Sequence, residues 1–125
     1  MTNRNYRNGA QLERDAKNQL EADGYWCIKS GGSKGVVDVL AMKPGQLLMV
    51  QAKKNGVCPP AERAALLELS SKFEALPLVA FRDRGVKYRR LIGPGPKEWV
   101  PWEADGEQPT PGAPIITGTQ PEENQ

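Results

Sequence analysis

Two short strand-forming runs joined by a Pro–Gly pair constrain this chain more than any other feature. Val36 to Met42 and Leu47 to Ala52 are rich in Val, Leu and Met, and Pro44-Gly45 stands between them. The economical reading is a β-hairpin. Side chains along a strand alternate between faces, which puts Gln51 and Lys53 on one side of the sheet. Pairing the two strands with their ends together brings Asp38 close to both. An acid, an amide and a lysine gathered at one end of a sheet have little structural purpose. They suit a magnesium site beside a phosphate.

The chain contains no histidine. That excludes Ser-His-Asp and Cys-His nucleophilic sites, histidine-ligated metal nucleases and imidazole general bases. Hydrolytic chemistry here must run on carboxylates, lysine and a hard cation that prefers oxygen. Cys27 and Cys58 lack CxxC spacing and read as reduced thiols. With 125 residues the chain has room for one domain with a single core. It has neither a membrane-spanning apolar run nor the apolar core of a signal peptide in MTNRNYRNGA, so a soluble, cytoplasmic protein with no membrane partner is expected.

Charge is distributed unevenly. Residues 1 to 97 carry all 17 Lys and Arg against 9 acids, a net +8, whereas residues 98 to 125 carry 6 acids and no base. A basic body with an acidic tail points to an anionic partner for the body. Thr2 to Arg7 reads as loose and polar, with Arg4 and Arg7 able to touch phosphate. Asn8 to Asp23 reads as a helix, with Asn8 as N-cap, Gln11 completing a capping box and Gly24 at C′. Leu12, Ala16 and Leu20 form its apolar stripe, and Glu13 falls at the stripe's edge, where an acid needs a partner.

Tyr25 to Lys29 reads as a strand, followed by the glycine-rich turn Ser30-Gly31-Gly32-Ser33-Lys34-Gly35, which lacks P-loop spacing but can cradle phosphate. After the hairpin, Pro59-Pro60 introduces a packing helix from Ala61 to Leu76. Its apolar face combines Leu66, Leu69 and Phe73 with Ala65 and Leu76, and Pro77 breaks it. Leu78 to Phe81 and Val86 to Ile92 are the last two strands, the second an edge strand bearing Lys87 and Arg89. Trp99 and Trp102 are expected to cover one end of the core. Residues 1 to 105 are thus read as one α/β domain of order αβββαββ. Residues 106 to 125 are read as an acidic, Pro/Gly-rich disordered tail.

The constellation Glu13, Asp38 and Gln51-x-Lys53, in this order on these elements, resembles the PD-(D/E)XK nuclease superfamily. Within it the chain is most similar to the archaeal-type Holliday junction resolvases. The residues that carry the resemblance are Gly9 through Glu13-Arg14, Ser30 through Gly35 before Val37-Asp38, and Val50-Gln51-Ala52-Lys53. The twelve residues between Asp38 and Gln51 fit the same pattern. What the resemblance implies is a restriction-endonuclease-like mixed sheet flanked by helices, cutting DNA with Mg²⁺ or, in its place, Mn²⁺. It implies metal ligands at Glu13, Asp38 and Gln51, with Lys53 acting on the attacking water and the developing phosphorane charge. Arg7, Arg14, Ser33 and Lys34 would hold DNA phosphates. The partner implied is branched DNA, cut by a homodimer during recombination or repair.

One residue departs from the pattern. Position 51 is Gln where the family usually has Glu, so the amide oxygen can bind a hard cation but brings no charge. Two alternatives stay open on these grounds: another nuclease on the same scaffold, of flap, repair or restriction type, or a DNA-binding module whose site has decayed.

Overall fold

The computed structural model describes residues 4–30 and 35–104, with residues 4–9 as backbone only. Its elements are α1 (Arg4–Ala22), β1 (Trp26–Lys29), β2 (Val39–Lys43), β3 (Gln46–Ala52), α2 (Pro60–Lys72), β4 (Leu76–Arg82), β5 (Val86–Leu91) and β6 (Trp99–Trp102). The six strands lie in one sheet in chain order. Neighbours run antiparallel except β3 and β4, which are parallel because α2 carries the chain back across the sheet.

The predicted hairpin is β2 and β3, joined through Pro44-Gly45 with Lys43 opposite Gln46. Gly45 adopts φ +79°, which with proline before it is the type II combination. The first helix begins at Arg4 rather than Asn8, so Asn8 and Gly9 lie inside it and the N-cap expectation does not hold. Its far end behaves as predicted. Gly24 takes φ +96°, the Gly24 N–H donates to Glu21 O at 3.0 Å, and the Tyr25 N–H donates to Leu20 O at 3.0 Å. That is a Schellman closure.

The two helices cover opposite faces of the sheet. Leu12, Ala16 and Leu20 of α1 are buried, the last two against Val39, Ala41, Leu48, Val50, Leu78 and Ala80. On the other face Leu66 of α2 packs with Met49, Val79 and Leu91. The alternation predicted along β3 therefore holds, since Leu48 and Val50 face α1 while Met49 faces α2.

Several expectations are corrected in the second half of the chain. The helix α2 stops at Lys72, and Phe73, expected on its apolar face, is exposed. The chain leaves through Glu74 in a left-handed conformation, φ 55°, with the Ala75 N–H donating to Ser70 O. Pro77 does not break the helix but lies inside β4, opposite Met49 of β3 and one residue before the pairing with β5 begins at Leu78. The segment around the tryptophans is a sixth strand, giving the order αβββαβββ. Consequently β5 is an inner strand and β6 is the edge. Trp102 is buried on the α1 side, edge-on to Tyr88 with ring centroids 5.5 Å apart. Trp99 lies on the other face, where the Arg89 guanidinium is sandwiched between it (4.2 Å) and Phe81 (4.8 Å) and donates to Gly56 O. Arg89 is therefore a packing residue, not a solvated edge charge. No helix among the described residues is long and apolar enough to cross a membrane. Residues 106 to 125, expected to be a tail, lie outside the described residues.

Candidate active site

The hairpin register decides where the site residues go. Val39 pairs with Val50, so Asp38 falls opposite Gln51 one step further along. The Asp38 N–H continues the ladder to Val50 O at 2.8 Å, and its Oδ2 accepts the Ala52 N–H at 2.8 Å. Lys53 follows two residues after Gln51, its own N–H donating to Ala80 O of β4 at 2.8 Å. Glu13 arrives from the third turn of α1, with its side chain one-fifth exposed. Glu13, Asp38, Gln51 and Lys53 all line a single open cavity of about 410 Å³. The spatial convergence expected from the spacing is present.

The electrostatics of the cavity are those of acids forced together. Burial raises the Asp38 carboxyl above the ordinary carboxylate range, opposed by the Ala52 N–H and Lys53 and reinforced by the negative charge of Glu62. Burial likewise raises Glu13, with the Asp38 charge adding to the effect and Lys29, 3.6 Å away, opposing it. Gln51 is buried, and its Oε1 accepts the Cys58 thiol at 3.4 Å. Burial holds that thiol protonated, so it is available as a donor.

The donors fit a hard divalent cation. They are all oxygen, from two carboxylates whose protonation is pushed upward chiefly by burial, which a bound cation would oppose. As the side chains stand, no three His, Cys, Asp or Glu among the described residues are placed to hold a metal ion together.

Two participants were missed in the sequence. Lys29, on β1, pairs with Glu13. Glu62, in the first turn of a helix read as packing alone, lines the cavity, with Oε1 2.6 Å from Lys53 Nζ. An acid soon after a Pro–Pro helix start is ordinarily explained by the helix dipole, which hid its second possibility. Of the expected phosphate contacts, Arg14 stays on the exposed side of α1 and donates to Gln11 Oε1 at 2.9 Å, away from the cavity. The backbone of Arg7 is in α1, but its side chain, like Ser33 and Lys34, lies outside the described residues. Gly35 and Val36, which close the glycine-rich turn, do line the cavity.

Comparison with known proteins agrees with this geometry. The profile of the archaeal Holliday junction resolvase (Hjc) family matches residues 4–95. The chain belongs to that family. A crossover junction endodeoxyribonuclease Hjc of Methanocaldococcus jannaschii is 32% identical over 84 residues. That match takes in 64% of this chain and 62% of the relative, so the chain spans less than two thirds of the curated relative's length. Among solved structures, the Hjc of Archaeoglobus fulgidus, a Holliday junction resolvase from an archaeal hyperthermophile, superposes with a TM-score of 0.55 at 23% identity. The superposition covers 66% of this chain and 70% of that one. At that identity the likeness speaks for the fold, the Hjc-like α/β arrangement of two helices on a six-stranded mixed sheet.

Proposed function

We propose that this Hjc-family protein is a Mg²⁺-dependent, structure-specific endodeoxyribonuclease that hydrolyses phosphodiesters in branched DNA, four-way junctions first among them. The observation that carries the reading is the meeting of Glu13, Asp38, Gln51 and Lys53 at one cavity. Family membership and the crossover junction endodeoxyribonuclease activity of the Methanocaldococcus jannaschii relative support the substrate class. Symmetric cutting of a four-way junction calls for two copies, so the working form is a homodimer in the cytoplasm. Residues 1 to 105 form the nuclease domain and residues 106 to 125 an acidic appendage to it.

Hydrolysis needs a water aimed at phosphorus, neutralisation of the phosphate charge and help for the leaving oxygen. A bound divalent cation, Mg²⁺ or in its stead Mn²⁺, supplies Lewis acidity and lowers the pKa of water. Glu13 and Asp38 would hold that cation through anionic oxygens, and Gln51 would contribute a neutral amide oxygen. Lys53, on the same wall, lends a point charge to the scissile phosphate and orients the attacking water. Arg7, Ser33 and Lys34 would grip neighbouring backbone phosphates and position the strand, and Arg14, on the exposed side of α1, could reach only a phosphate further along it.

The test is incubation with end-labelled four-way junction, flap and linear duplex, each with Mg²⁺ and with EDTA. Junction cleavage with Mg²⁺ alone is expected. Preferential cutting of flap or linear DNA would move the protein to another nuclease class on this scaffold. Gln51, neutral and engaged by Cys58, supports a second reading, a module that binds DNA without cutting. Retarded but uncut junction would establish it.

A further inference from the structure

Position 51 brings no charge to the cavity, yet the cavity is not short of acids. Counted without Glu62, the groups around it are Glu13 and Asp38 against Lys29 and Lys53, formally neutral. A divalent cation entering a neutral, half-buried pocket gains little from Coulomb attraction. We propose that Glu62 is the third acid of the cation site, supplied by α2 in place of the charge that Gln51 does not carry. This deepens the nuclease reading and rests on it.

The surroundings of Glu62 argue for the role. It sits in the first turn of α2 and lines the same cavity as Asp38 and Gln51. Its Oε1 is shielded from water and makes no hydrogen bond of acceptable geometry, although Lys53 Nζ is 2.6 Å away. The contact is a close ion pair with Lys53. An ordinary helix-start acid would leave both oxygens in water, where they are better solvated. The rest of the side chain is 43% exposed, so it has room to turn. Its negative charge already reaches Asp38, pushing that carboxyl upward. The Gln51 amide oxygen accepts the Cys58 thiol, which leaves it a second lone pair but no charge.

Glu13, Asp38 and Glu62 do not form a closed trio as the side chains stand among the described residues, because Glu62 is drawn to Lys53. The same arrangement explains how the lysine is made available. Were Glu62 to turn from Lys53 toward a bound cation, it would release the ammonium to face the scissile phosphate. Lys53 and Glu62 thus hold each other until both have something better to bind.

The experiment is calorimetric titration of Mn²⁺ into the full chain without DNA, run beside junction cleavage, for Glu62→Gln, Asp38→Asn and the double variant Glu62→Gln/Gln51→Glu. Glu62→Gln is expected to weaken Mn²⁺ binding by about tenfold or more, and adding Gln51→Glu should restore most of the loss. If Glu62→Gln binds Mn²⁺ as the parent does while Asp38→Asn does not, this inference fails and the metal site stands. A loss that Gln51→Glu does not repair also overturns it, since Glu62 would then act only through Lys53. Parental affinity in Asp38→Asn would instead sink the metal-dependent reading itself.

Discussion

On the proposed function Asp38 must be charged where burial disfavours charge. Replacing Asp38 or Lys53 with Ala should lower junction cleavage by about a hundredfold or more. Junction binding measured by gel retardation in Ca²⁺ should stay close to parental. The raised carboxyls of Asp38 and Glu13 also set the acid response of the metal-free protein. A folded-state pKa above the unfolded one means that the folded chain binds more protons. The associated stability is complete below the unfolded carboxylate pKa of about 4 and is lost as pH rises through the raised folded values. Thermal unfolding in EDTA should therefore show Asp38→Asn more stable than the parent near pH 7, with the advantage vanishing toward pH 4. A constant advantage across that range would show that the Asp38 carboxyl is not raised.

At the scale of elements, the edge strand β6 contributes more than its four residues suggest. Trp102 closes the α1 side of the core against Tyr88, so Trp102→Ala should cost about 3–5 kcal/mol in urea unfolding. The end of α2 offers a gain instead. Glu74 holds a left-handed backbone that disfavours a Cβ, so Glu74→Gly should stabilise by about 0.5 kcal/mol after the glycine's greater unfolded freedom is subtracted. These two elements also mark where reading the sequence falls short. The central hairpin was legible because alternation and a Pro–Gly turn agree, and Glu13 because it borders a clear apolar stripe. The strand Trp99–Trp102 was hidden by Pro101, which looks like a breaker but is tolerated where a strand lies at the sheet's edge. The helix ended early at Lys72 without a glycine to announce it. Glu62 was invisible as a site residue because its role depends on how α2 crosses the sheet, which no local pattern records.

For the whole molecule, the proposed DNA binding would be governed by the basic body. Residues 1 to 97 carry a net charge of +8. Junction affinity should fall linearly on a log–log plot against salt, each phosphate contact adding roughly 0.9 to the slope. A flat salt response would rule out a phosphate-led interface. The parallel pairing of β3 with β4 has a less obvious effect. Every side chain lining the cavity comes from the stretch between Glu13 and Ala65, yet the Lys53 backbone is anchored to Ala80 on β4. Severing the chain between α2 and β4 would leave one fragment owning all the reactive groups and the other owning the bench on which the lysine sits. Neither piece should work by itself, and reunion of the two is what would switch catalysis on, which makes that connection a ready seam for a split enzyme.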